Sequence, residues 1–370
     1  MTIGVKKNML RDKLKKQIKE YLSNGGLSAC HTMLSRKSNH NSSEGLFCHP
    51  ERSEGSLLNE FGNNYNIDFL AQGEYNINFL IKSKEKKYVF RVNTGSQLQL
   101  DNQIRYEYDA LKTLEISGVT PKAFYVDDTK SFFDYGILIM EFLEGRPLEY
   151  NKDLNKAASI FARIHSLELS DRDASTFIIE DNVFNERIVE GSRLLKDFFV
   201  SNIVSKELKN FFDGFLNWAE KNKHNEKYFL ENKWHVINNT EVNSHNFIIG
   251  DTHSYLIDWE KPVISDPCQD LTQFLSPTTT LWKSEYVLST EEKESFFKTY
   301  INGLNGKDNN IRERVHLYNP YLYLRALSWC AYAYVEYNKP NKDIKNMDTY
   351  KKIQAYLDMD FMKKLIKDYF

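Results

Sequence analysis

The chain has 370 residues, enough to bury a large core, with ordinary hydrophobic and charged fractions of 41% and 27%. Its 49 Lys and Arg against 51 Asp and Glu leave a net charge of −2, which argues against bulk nucleic-acid binding as the main role. No segment reaches the roughly 18–20 apolar residues of a membrane helix, and the N-terminus lacks the apolar run of a secretory signal.

Met9 to Leu22 places Leu10, Leu14, Ile18, Tyr21 and Leu22 on one helical face with lysines opposite. Residues 1–30 hold seven basic and two acidic side chains, a local charge of +5. Such a helix can lie on a membrane surface; packing on its own domain is the preferred reading, so membrane contact is not expected. Asn24-Gly25-Gly26 ends it. Residues 28–58, rich in Ser, Asn, Gly and His, hold too little apolar surface to offset their ordering entropy and read as a disordered insertion. Cysteines fall at positions 30, 48, 268 and 330 with no C-x-x-C pair. Cys30-His31 and Cys48-His49 match no familiar zinc spacing, and a reduced cytoplasmic chain is the simpler reading.

Phe69 to Ile81 reads as strand, turn, strand, with Gly73 the single glycine of the turn. One glycine lets a backbone approach a phosphate closely, and equally it can simply make a turn. Tyr88 to Val92 is the next strand and carries Arg91; Lys86 and Lys87 at its start read as solvated. A helix over Arg105 to Leu111 places Glu107 beside an apolar face of Ile104, Tyr108 and Leu111. Taken alone, Glu107 could be an exposed helical Glu. No G-x-x-x-x-G-K-[ST] or strand–G-x-G-x-x-G–helix occurs, so P-loop and Rossmann chemistry find no support.

Trp234 to Phe274 concentrates the chemistry. Phe247-Ile248-Ile249 and Tyr255-Leu256-Ile257 are apolar runs separated by the turn-rich Gly250-Asp251-Thr252-His253-Ser254, a β-hairpin pattern. Antiparallel pairing would set Asn246 opposite Asp258, with Cβ atoms about 5 Å apart. An amide oxygen and a carboxylate at that separation can ligate Mg²⁺, which prefers hard oxygen donors. Glu241, on the loop leading into the hairpin, could accept the proton of an attacking hydroxyl; singly, each of the three could also be a solvated loop residue. Asp266 reads as an N-cap with Pro267 at the first helical position, and the helix would bury Leu271, Phe274 and Leu275. The dense run Tyr321 to Tyr334 reads as a buried helix. Some of its tyrosines, or Trp259 and Trp282, could instead line a pocket for a cation.

Asn246, the run Leu256-Ile257-Asp258-Trp259-Glu260, Asp266-Pro267 and Asp270-Leu271 resemble the aminoglycoside phosphotransferase and choline kinase-like family of small-molecule kinases. Gly136 to Leu148, Leu154 to Leu167, Tyr88 to Val92 and Arg105 to Leu111 extend the resemblance, in order, over residues 59–335. It implies an α+β, bilobal, protein-kinase-like fold with an antiparallel N-lobe sheet and a mainly helical C-lobe. The implied boundaries are 1–58 for the helix and insertion, 59–145 for a nucleotide-binding lobe, and 146–370 for a catalytic lobe, with a hinge near Glu141-Phe142. The implied activity is ATP-dependent phosphorylation of a small-molecule hydroxyl on an amino alcohol, an aminoglycoside-like sugar or similar. Asn246 and Asp258 would hold Mg²⁺ on ATP, Arg91 paired to Glu107 would steer the phosphates, Gly73 would lie in the phosphate-covering loop, and Glu241 would take the proton.

The chain also departs from the family pattern. Asn239-Thr240-Glu241 stands where the family has His-Gly-Asp, so the catalytic carboxylate is one methylene longer. Arg91 stands where many relatives have Lys, a planar fork in place of a point charge. The altered triplet keeps a nucleotide-binding pseudokinase open as the alternative. The sequence leaves the oligomeric state open.

Overall fold

The computed structural model describes residues 3–23, 64–83, 86–96, 98–339 and 347–369. Asn24-Gly25-Gly26 and the insertion over 28–58 lie outside the described residues. The chain divides into two compact units: Met1–Glu144 with Trp259–Lys261, and Gly145–Asp258 with Pro262–Phe370.

The first unit holds helix α1 (Ile3–Ser23), strands β1 (Tyr65–Gln72), β2 (Asn76–Ser83) and β3 (Lys86–Asn93), helix α2 (Gln103–Leu114), and strands β4 (Ala123–Asp127) and β5 (Gly136–Glu141). The strands form one antiparallel sheet in the order β1-β2-β3-β5-β4. Alternation along β2 sends Ile77, Phe79 and Ile81 to one face, where they meet Phe90, Val92, Ile137 and Ile139 in one core. α1 closes that core with Leu14, Ile18, Tyr21 and Leu22. The Tyr21 hydroxyl donates to Asp127 Oδ2 at 2.8 Å, and Arg11 donates to the Gln72 side chain, so the helix is fixed by polar as well as apolar contacts. Its apolar face therefore belongs to the domain core, as the preferred sequence reading expects. Trp259 is buried in this unit and is a core residue.

The second unit is mainly helical. β6 (Arg146–Pro147) leads to α3 (Tyr150–His165) and α4 (Asp171–Thr176); β7 (Ile179–Glu180) leads to α5 (Val183–Val200), α6 (Lys206–Asn222) and α7 (Lys227–Glu231). Strands β8 (Val236–Asn238), β9 (Phe247–Ile249), β10 (Ser254–Leu256) and β11 (Val263–Ser265) precede helices α8 (Cys268–Leu275), α9 (Pro277–Lys283), α10 (Thr290–Gly303), α11 (Ile311–Tyr337), α12 (Met347–Tyr356) and α13 (Met359–Ile366). Two three-stranded sheets, β10-β9-β6 and β7-β11-β8, carry the polar segment. Gly145 is needed where β6 begins: its φ is +156°, and a Cβ there would meet Ile249 O at 2.7 Å.

α8 starts at Cys268, one residue later than Pro267. The Asp266 carboxylate still caps it, accepting the Cys268 N–H at 3.0 Å. Leu271, Phe274 and Leu275 are buried, as their spacing requires. Asp266 also pairs with the buried Arg314 of α11, whose guanidinium lies over the Tyr228, Phe229 and Trp234 rings. α11 is buried along most of its length, with the Tyr321 ring stacked on Phe184 at 3.8 Å, although Trp329 and Tyr332 reach the surface.

Candidate functional site

β9 and β10 form the expected hairpin, but the register differs by one residue from the sequence expectation. Leu256 faces Phe247 and Ser254 faces Ile249, which leaves a four-residue turn closed by Gly250 N–H to His253 O at 3.0 Å. Asn246 therefore lies across from Ile257, whose N–H donates to Asn246 O at 2.8 Å, and not from Asp258. The sequence does not distinguish a four- from a five-residue loop, and one residue of slip reassigns every facing pair. Asp258 follows immediately in the left-handed region, at φ +66°. That conformation is uncommon for any residue with a side chain and tends to cluster at functional sites.

The loop before the hairpin is fixed almost atom by atom. Asn239 is fully buried and uses both ends of its amide. Its Oδ1 accepts the Glu241 N–H at 3.0 Å; its Nδ2 donates to Asp258 O at 3.1 Å and more weakly to Ile257 O at 3.4 Å. The Glu241 carbonyl accepts Asn246 Nδ2 at 2.7 Å and the Asn243 N–H at 2.9 Å. Both backbone groups of Glu241 are thus held. Asn246 spends its amide N–H on the loop, which leaves Oδ1 as the atom able to face a cation. An amide oxygen from Asn246 and a carboxylate from Asp258 are hard donors of the kind Mg²⁺ takes, so the residues present fit that ion. Thr240, where the family pattern has Gly, sits at φ +67°. A β-branched residue there is a backbone outlier.

Asp270 of α8 anchors this loop from below. Its Oδ2 accepts the Asn239 N–H at 2.6 Å and its Oδ1 the Thr240 N–H at 2.8 Å. Burial pushes the Asp270 carboxyl up to about 7 against the pull of those two donors. His165 Nε2 lies 4.0 Å away, and its Nδ1 contacts the Tyr300 hydroxyl at 3.0 Å. Burial pushes the imidazole down to about 3, so it stays neutral. Neither Asn239 nor Asp270 has a role in the sequence reading beyond its place in the motif. The signal that finds them is their chemistry: polar side chains at 0% and 1% exposure must be spent on something.

In the first unit, Arg91 and Glu107 form a buried ion pair, and Arg91 Nε also donates to Asn78 Oδ1 at 3.0 Å. Glu107 is 1% exposed, which overturns the exposed-helix alternative. Lys86 and Lys87 are exposed at the strand start, as expected. Gly73 is an exposed turn residue whose N–H donates to Asn76 O at 2.9 Å, and a Cβ there would meet only ordinary contact, so the turn does not itself demand glycine. Glu141 pairs with Tyr88 at the end of the ladder, its N–H donating to Lys122 O at 2.9 Å; Lys87 Nζ lies 5.8 Å from the centre of the Phe142 ring. Asn76 donates to Glu260 and, through Oδ1, accepts from Asn93 at 2.9 Å, so residues just past Asp258 are tied to the strand after the turn.

A model of the phosphotransferase enzyme family matches residues 66–317. Among solved structures, a spectinomycin phosphotransferase in complex with ADP and spectinomycin is 14% identical, covering 84% of this chain and 95% of its own, with a TM-score of 0.58. An ethanolamine kinase of Plasmodium vivax is 16% identical over 84% of this chain and 86% of that one, at a TM-score of 0.57. A choline kinase of Cryptosporidium parvum is 17% identical over 84% and 92%, at 0.56. A search of curated protein sequences found no match. At such identities the solved structures speak to the fold, which they share as the α+β protein-kinase-like arrangement. Because the family match runs through both units, from β1 into α11, the chain belongs to the phosphotransferase enzyme family and is itself a phosphotransferase.

Proposed function

We propose that the protein transfers the γ-phosphoryl group of ATP to a hydroxyl of a small molecule, in the range from amino alcohols to aminoglycoside-like sugars. The observation that carries this is the clamped loop: Glu241 held through both backbone groups, beside Asn246, with Asn239 reaching the Asp258 carbonyl. Phosphoryl transfer needs positioning and charge neutralisation more than covalent chemistry, and such a loop supplies positioning. In the step proposed, the acceptor oxygen bonds to the γ-phosphorus, the bond to the β–γ bridging oxygen breaks, ADP leaves, and the hydroxyl proton passes to the Glu241 carboxylate. Asn246 and Asp258 would hold Mg²⁺, which supplies neutralisation of phosphate charge when bound. Arg91, oriented by Glu107, would contact the α/β-phosphates.

We assign nucleotide binding to residues 59–145, with Gly73, Arg91, Glu107, Glu141 and Phe142 as its residues, and hydroxyl activation to residues 146–370. Among the described residues, no helix is long and apolar enough to cross a membrane. The free, buried Cys268 and Cys330 fit a reducing, cytoplasmic setting.

A second reading, a nucleotide-binding pseudokinase, is favoured by one observation: the Thr240 backbone is strained beside the longer Glu241 side chain. The two separate in one assay. With Mg-ATP and a panel of small alcohols, acceptor-dependent ADP release that falls on the order of 10²-fold or more in Glu241→Ala supports the enzyme. Nucleotide-induced thermal stabilisation with no turnover on any acceptor supports the pseudokinase.

A further inference from the structure

The second unit contains a cavity of about 570 Å³ with no role in the account so far. That volume is in the range of small-molecule sites. Its walls come from three separated segments: the strap from Arg146 to Asn151, Ser244-His245, and Lys283 to Tyr286. Ser244 and His245 lie between Glu241 and Asn246, and Ser244 O accepts the Leu148 N–H at 3.1 Å, so one wall is the outer turn of the clamped loop itself.

Two features give this cavity a chemical preference. The first is Tyr150, 4% exposed, whose hydroxyl has no hydrogen-bond partner among the described residues. Burial raises its pKa, so the hydroxyl stays protonated and adds no charge to the wall. Its ring packs on Phe274 and lies parallel to Tyr286, a flat apolar wall. The second is charge. The carboxylates on the rim are already engaged: Glu149 by Lys152, and Glu285 by Lys352 at 2.8 Å. Arg146 is spent on Asp153 through two hydrogen bonds of 2.6 and 3.1 Å. Lys283 makes no ion pair among the described residues, and it lines the cavity together with His245. What the cavity offers is therefore an uncommitted cation beside an imidazole, over a flat aromatic wall, and the first two suit an anion.

We infer that this cavity is the subsite for an anionic group on the acceptor: the phosphorylated molecule carries a carboxylate or phosphate monoester, held by Lys283 with His245, besides its reacting hydroxyl. This rests on the phosphotransferase reading above and shifts its acceptor away from purely cationic amino alcohols and aminoglycoside-like sugars toward hydroxyl compounds that carry an anion. A polycationic acceptor would meet Lys283 unfavourably.

The test uses the full chain with Mg-ATP and four hexoses matched in size but not in charge: glucosamine, glucose, glucuronate and glucose 6-phosphate. The expected result is kcat/KM for glucuronate or glucose 6-phosphate at least about tenfold above glucose, with glucosamine lowest. Which anion wins identifies the group. Lys283→Gln removes the advantage and Lys283→Glu inverts it, while KM for ATP stays unchanged in both. Thermal stabilisation by each hexose, with Mg-ADP present, is the second readout. Anion stabilisation that depends on Lys283 without turnover keeps the subsite and defeats the kinase reading. Turnover that favours glucosamine, or is indifferent to charge, or is unmoved by Lys283→Glu, overturns the subsite and keeps the kinase. No Lys283-dependent effect in either assay overturns the subsite as well.

Discussion

Asn239 stands where the resembled family has His, and its side chain links the backbone of Glu241 to that of Asp258. Replacing it by Asp keeps an oxygen for the Glu241 N–H but sets an acceptor against the Asp258 carbonyl. A buried polar group so mispaired costs about 1–3 kcal/mol. We expect Asn239→Asp to raise the Mg²⁺ concentration for half-maximal ADP release about tenfold or more, and to shift the Mg²⁺ dependence of ATP-induced thermal stabilisation in parallel. An Asn239 that only supports the fold would lower Tm and leave both midpoints in place. Asp270 and His165 make a second prediction, with opposite signs. His165 has its pKa lowered to about 3 on folding, so the unfolded chain binds the extra proton, and stability is lost as pH falls from about 6.5. Asp270 has its pKa raised from 3.8 to about 7, so the folded chain binds the extra proton, and stability is lost as pH rises through that window. The two partly cancel between pH 4 and 6.5. Asp270→Asn removes one arm, and denaturant titration should then show stability falling toward acid more steeply than in the wild type, by up to ~1.4 kcal/mol per pH unit. An unchanged pH slope would contradict the assignment.

At the scale of elements, apolar periodicity located α1, turn and apolar runs located β1 and β2, the cap signal located α8, and the family resemblance located β3, α2 and α3, each to within a few residues. In α1 one buried face repeats at 3.6 residues and the chain has one way to hide it. The hairpin shows where this stops. Three-residue strands carry little register information, so the choice between a four- and a five-residue turn fell to the Gly250–His253 hydrogen bond. α1 is the element whose packing is most open to a direct test. Leu14 is fully buried against the sheet, and Leu14→Ala should destabilise by about 2–5 kcal/mol, read by chemical denaturation. A membrane-surface role for that face would predict little loss in water and a loss of liposome association instead.

Across the whole molecule, the sequence made visible what depends on residue type in order along the chain. Asn246, Asp258 and Glu241 stood out as candidates because amides and carboxylates flank apolar strands, and the proposed mechanism rests on them. The Arg91–Glu107 pair was legible through the family resemblance, which sets a strand cation against a helix carboxylate. The support beneath them was not. Asp270 acts on Asn239 and Thr240 from about 30 residues away, through backbone N–H groups that no sequence pattern marks. The cavity around Tyr150 draws on three segments that meet only in the folded unit.

The central claim is that Glu241 is a working base and not the residue of a lost activity. The most direct measurement is the single-turnover rate of phosphoryl transfer to the best acceptor in wild type and in Glu241→Gln, which keeps the shape of the side chain and removes its ability to take a proton. A fall on the order of 10²–10⁴-fold with ATP affinity unchanged is the predicted result. Equal rates in the two proteins, with acceptor phosphorylated in both, would contradict it.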